Sequence, residues 1–108
     1  MTDELKSLVE DAAKLLGVEL QFVHGTAYPA NQWWKDAEEF NPLAPDSGDL
    51  MKVAMAARCS IRFGKAEVTL AELDGGYVCF PFVKGDHESL AIAILRAASA
   101  VLHSRGGE

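Results

Sequence analysis

The sequence predicts an α+β (α/β) domain: a small antiparallel sheet of three to four strands with helices on both faces, an α-β-α sandwich. Three observations carry that expectation. Apolar-periodic segments open and close the chain, near residues 2–16 and 87–103. Between them lie short alternating runs at 59–63, 67–72 and 77–83. Asp74-Gly75-Gly76 joins the last two as a hairpin turn, since glycine tolerates the positive φ that such turns demand. At 108 residues the chain is expected to form one domain, 1–108, which needs no cross-link to fold.

The elements follow in order. Leu5, Leu8, Val9, Ala12, Leu15 and Leu16 recur at helical spacing, with Thr2 as a candidate N-cap and Gly17 as the left-handed stop. Val18–Val23 reads as a possible edge strand, completing an N-terminal unit of 1–23. Residues 24–46 read as a connection without regular structure, broken by Pro29, Pro42 and Pro45. It holds both tryptophans and is longer than most structural loops. The remaining unit, 47–104, starts with a helix to about Arg58, capped by Asp46 or Ser47 with Asp49 as a capping-box acid. In the first strand after it, Cys59, Ile61 and Phe63 share one face. The last of the three strands, Tyr77–Val83, is apolar on both faces, yet Pro81 argues against a fully paired central position.

The closing helix begins at a candidate N-cap, Asp86. Eleven of the thirteen positions from Leu90 to Leu102 are apolar, interrupted by Arg96 and Ser99. One sheet face needs only an apolar stripe, so the excess predicts a homo-oligomer joined through helix 87–103. Arg96 within that run calls for an ion pair or a bound anion.

Composition narrows the function classes. The net charge is −6, and residues 1–57, with ten acids and four bases, account for it. An acidic chain without a basic stripe is a poor binder of nucleic acid. No apolar run spans a bilayer, and the first residues lack a signal-peptide pattern, so a cytoplasmic location is expected. Cys59 and Cys79 are read as buried small hydrophobes, not a disulfide. His24, His87 and His103 are scattered, without metal-ligand spacing. Nucleophile elbows and phosphate-cradling glycine loops are missing as well. Neither catalysis nor a metal or cofactor is expected.

Within residues 40–57, the string Phe-Asn-Pro-Leu-x-x-Asp-x-x-Asp-Leu-Met-x-Val-Ala resembles the hallmark of the phage ABA-sandwich domain family. The order of strand, hairpin and closing Ala-rich helix extends the resemblance over roughly residues 33–104. It implies a small accessory protein of a phage or prophage with an α-β-α layered core. It implies no reaction or catalytic residue.

The candidate ligand-binding residues are Trp33, Trp34, Asn41, Arg58, Arg62, Lys84 and His87. Trp33 and Trp34, with Tyr28 and Phe40, could stack on a ring as a lid, or could staple the loop to the core. Adjacent side chains tend to point apart, so one buried and one exposed tryptophan is expected. Asn41 suits a turn as well as a ligand contact. Lys84 and His87 lie at a helix N-terminus, whose free N–H groups attract anions. The expected function is a phage anti-defence protein that binds and sequesters a small nucleotide-like signalling molecule without catalysis. The alternative is a protein–protein interaction module that inhibits a host protein through its aromatic loop.

Overall fold

The computed structural model describes residues 3–43, 48–73 and 76–104. Helix α1 (Asp3–Leu15) precedes a hairpin of β1 (Leu20–Val23) and β2 (Thr26–Pro29). Helix α2 (Asp49–Ala57) leads into β3 (Ser60–Arg62), β4 (Glu67–Leu73) and β5 (Gly76–Pro81), and helix α3 (His87–Ser104) closes the fold. The class is α+β as expected, with three helices and two small antiparallel sheets among the described residues. Thr2, Asp46, Ser47 and the turn pair Asp74-Gly75, assigned capping and turn roles above, lie outside the described residues. No described helix is long and apolar enough to cross a membrane.

Local chemistry sets the helix ends. Gly17 takes φ 79°, its N–H bonds the carbonyl of Lys14, and the Val18 N–H bonds that of Ala13. This pair of bonds is a Schellman stop, and it turns the chain toward β1. Helix α2 stops in the same way on a residue with a side chain. Arg58 takes φ 55° and its N–H bonds the Met55 carbonyl, while the Cys59 N–H bonds Ala54. At the start of α3, Asp86 is the cap: its Oδ1 accepts the Ser89 N–H at 3.3 Å. Ser89 in turn accepts the Val83 N–H through Oγ at 2.8 Å.

The segment 24–46 differs from its reading as an irregular connection. His24 (φ 52°) and Gly25 (φ 80°) both adopt the left-handed conformation, which a two-residue hairpin turn requires. The strands they join pair Leu20 with Pro29 and Val23 with Thr26, so the hairpin forms a separate sheet and adds no fourth strand to the larger one. Gln21 then pins the following chain, donating through Nε2 to the carbonyls of Pro29 and Gln32.

The larger sheet runs β3-β4-β5, which places β5 at an edge and Pro81 at its last paired position. The missing proline N–H is harmless there. Val68, Leu70 and Phe80 face α3, and Val68 and Leu70 are buried. The opposite face carries Ser60, Arg62, Cys79 and Pro81, which are exposed, and at its centre Thr69, which is buried. Helix α3 packs on the Val68 face of this sheet, and α1 and α2 pack on α3. Both cysteines are free. Cys79 is exposed, unlike the buried hydrophobe expected, while Cys59 is half-buried, donates to the Ala54 carbonyl, and has its thiol pKa raised by burial.

Helix α3 is the centre of the core. Ala91, Ala93, Ile94, Leu95, Ala97, Ala98 and Leu102 are buried, and Ala93, Ile94, Leu95, Ala97 and Ala98 share one cluster with Val9, Ala12 and Ala13 of α1, Val53 of α2 and Val68 of β4. Seven of the eleven apolar positions from Leu90 to Leu102 are thus buried within the chain, and Leu90, Ile92, Ala100 and Val101 are half-buried. Arg96 does not interrupt that buried surface, because it is exposed and pairs with Glu4 at 3.5 Å. Replacing Leu95 by Ala is expected to cost about 2–5 kcal/mol in urea unfolding, because it opens a cavity at a fully covered site. Arg96→Ala is expected to change stability by less than about 0.5 kcal/mol, since its ion pair is solvent-exposed.

Candidate functional site

A concave apolar surface forms where β3 gives way to a turn. The strand ends at Arg62, and Phe63–Lys65 wind into one 3₁₀ turn. Ala66 closes that turn at φ 52°, with its N–H on the Phe63 carbonyl and its own carbonyl accepting the Phe82 N–H. The turn rotates Phe63 out of the strand alternation that would have buried it beside Ile61. Its side chain is 63% exposed and meets the Phe82 ring edge-on at 6.1 Å.

Across from Phe63 stands the turn Val83–Asp86. The Asp86 N–H bonds the Val83 carbonyl, and Gly85 takes φ 81°, a conformation that glycine adopts without strain. Phe63, Phe82, Val83 and Leu90 border a depression of about 600 Å³, with Lys84, Asp86 and His87 at its polar edge. A second depression of about 200 Å³ lies alongside, bounded by Leu50, Met51, Ile61 and Ile94. Phe63, His87 and Leu90 line both. His87 Nε2 is buried in this shared wall and has no hydrogen-bond partner.

The residues singled out in the sequence separate onto different surfaces. Lys84 and His87 meet in the groove just described. Trp33 and Trp34 do not cover it; they lie against the β1–β2 hairpin. Trp34 is partly buried, its ring 5.8 Å from Tyr28, 6.2 Å from His24 and 6.0 Å from Trp33, and Lys35 Nζ approaches it to 5.6 Å. Trp33 is 61% exposed. One tryptophan packs and the other is open, as adjacent positions predict. Arg58 is the left-handed stop of α2, and Arg62 is exposed on the sheet face opposite Val68.

Asn41 is part of a brace. Its Oδ1 accepts the Leu43 N–H, and its own N–H donates to Asp49 Oδ2 at 2.9 Å. Asp49 therefore ties its helix to the Phe40–Leu43 stretch. Phe40 and Pro42 are buried, and the Phe40 N–H bonds the Ala27 carbonyl. The Phe-Asn-Pro-Leu motif thus joins the hairpin to the start of α2.

A further concavity of about 650 Å³ is lined by Asp36, Glu38, Glu39 and Asp49 beside the single cation Lys52, and by neither tryptophan. Like charge repels an anion from such a site. Among the described residues no three His, Cys, Asp or Glu side chains gather where they could hold a metal ion. What the groove at Phe63 can do is bind: it offers apolar area, with one cation, Lys84, and one carboxylate, Asp86, at its edge.

Sequence reasoning missed Met51, Phe63 and Val83 because isolated apolar residues in regular elements read as core. The signal for Phe63 was the Gly64-Lys65 pair, which ends the alternation directly after it. No protein-family model, curated protein or solved structure matches the chain.

The aromatic contacts predict unequal roles for the tryptophans. Trp34→Ala is expected to lower unfolding free energy by about 1–2 kcal/mol, through loss of its ring contacts to Tyr28 and His24. Trp33→Ala is expected to stay within about 0.5 kcal/mol in the same denaturation experiment.

Proposed function

We propose that this chain is a non-catalytic binding protein that seats an apolar segment of a partner protein in the groove at Phe63. The reading rests on one observation. Four of the five large apolar side chains exposed among the described residues, Met51, Met55, Phe63 and Val83, belong to the elements around this groove. Met51 and Met55 are one turn apart on α2, so they extend its apolar border along one helix face. Exposed apolar side chains scattered singly need no explanation, but a grouped set beside a concave surface marks an interaction site. Methionine suits such a surface because its unbranched side chain adapts to the shape it meets.

The groove is wide and open, a form that takes a protein segment better than a small molecule sequestered from solvent. The setting we assign is that of a small phage-type accessory protein, as the resemblance at residues 40–57 implies. In that setting the protein acts by occupying a host protein. The partner surface is the Phe63 groove, and the aromatic hairpin lies outside it.

A photo-crosslinking side chain placed at position 63 or 83, in cells that make the protein, tests the assignment. One discrete heterologous adduct is expected at both positions, absent from a control position at Trp33 and lost when Met51→Glu is added. Adducts from Trp33 alone would move the function to the hairpin. An adduct of twice the chain mass would make the surface a contact between copies and overturn the reading.

A further inference from the structure

Strand β5 is an edge of the larger sheet, and its alternation fixes which backbone groups are left over. The Phe82 N–H bonds the Ala66 carbonyl, so Phe80 and Val78, at the same phase, direct their backbone groups toward β4. Tyr77, Cys79 and Pro81 direct theirs outward. The N–H groups of Tyr77 and Cys79, and the carbonyls of Tyr77, Cys79 and Pro81, thus share one outer line. Among the described residues no other strand pairs with β5, and no turn or loop backbone bonds this line. The strand packs against β4 and α3.

The two edges of the sheet are not alike. Strand β3 is three residues long, carries Arg62, and gives way at once to the 3₁₀ turn. Short strands and charges of that kind keep an edge from templating another chain. Strand β5 is six residues long, and residues 76–83 hold no charge; in the sequence, charges begin at Asp74 on one side and Lys84 on the other. Its guard against pairing is Pro81, which lacks an N–H but keeps its carbonyl. Beyond Pro81 the same chain becomes a wall of the groove, where Phe82, Val83 and Lys84 line it. The outer line of β5 and the apolar depression are therefore consecutive along one backbone.

Resting on the reading of the Phe63 groove as a protein-binding surface, we infer that the partner segment is an extended strand that pairs with the outer edge of β5 and continues into the groove. Backbone donors and acceptors repeating at every second residue match an extended polypeptide, whose own groups repeat at the same spacing. The partner accepts from the N–H groups of Tyr77 and Cys79 and donates to the carbonyls of Tyr77, Cys79 and Pro81. On the face it shares with Val78 and Phe80, which are half-buried, its side chains are apolar, because a charge set beside them loses water without gaining a partner. The backbone bonds hold the segment, and the groove selects the side chains that follow.

Proline at position 79 tests the pairing, because the Cys79 N–H points away from β4 and its loss leaves the ladder intact. In cells that make the chain with the photo-crosslinking side chain at position 83, Cys79→Pro is expected to give about tenfold less heterologous adduct than Cys79→Ser, which keeps the donor. Circular dichroism and melting temperature check that both purified variants fold. Amide hydrogen exchange gives a second readout that needs no substitution at the edge. In the free protein the amides of Tyr77 and Cys79 are expected to exchange much faster than those of Val78 and Phe80, and in the purified adduct all of them are expected to be slow. Equal adduct from both variants, or Tyr77 and Cys79 amides that stay fast in the adduct, would overturn the strand and leave the groove standing. A slow Cys79 amide in the free protein would mean that the edge is already taken, and would overturn it too. If Cys79→Pro does not fold, the exchange measurement decides. Absence of any heterologous adduct from the chain with its natural Cys79 would overturn this inference and the groove reading together.

Discussion

A helix that is apolar on nearly every side must be covered on nearly every side, and the arrangement of this protein follows from that demand. The small residues of α3, Ala91, Ala93, Ala97 and Ala98, are buried, and they let neighbouring elements approach closely. Helix α1 lies along its C-terminal part, where Asp11 accepts from Ser99 at 2.8 Å and contacts His103 at 3.2 Å. The sheet covers a second side through Val68 and Leu70, and α2 a third through Val53 and Ala54. Cover runs out at one end. There Leu90 and His87 of the first turns of α3 border the groove with Leu50 and Met51 of α2. The interaction surface is what remains when the core is satisfied.

Much of the architecture was legible from periodicity. The stop at Gly17, the N-cap at Asp86, the extents of α1 and α3, and the order of β3, β4 and β5 all follow from spacing and capping chemistry. The β1–β2 hairpin was not legible, because its turn is His24-Gly25 and its second strand ends in Tyr28-Pro29, which reads as loop punctuation. The cover over α3 was also hidden, because spacing alone does not say which elements pack on an apolar helix; Val9, Ala12 and Ala13 of α1, Val53 of α2 and Val68 of β4 do so here.

The candidate site was half legible. Lys84 and His87 were visible as polar groups at a helix start, and they do share one depression. Trp33, Trp34, Arg58 and Arg62 were chosen for their chemistry, but tertiary structure sends them to the hairpin, a helix stop and the sheet face opposite Val68. Asn41 bonds its neighbours in a brace. The apolar half of the site was invisible for a different reason. Met51, Phe63 and Val83 carry no mark that separates an uncovered apolar residue from a buried one until the left-handed Ala66 and the turn at Gly85 are in place.

The central claim is that α3 is enclosed by its own chain and that the free apolar surface lies at its start. Photoactivated carbene footprinting of the purified protein measures this directly. The account predicts strong labelling at Met51, Met55, Phe63 and Val83, with Ile94, Leu95 and Leu102 spared. Labelling along the middle of α3, or a silent groove in the monomeric protein, would contradict it.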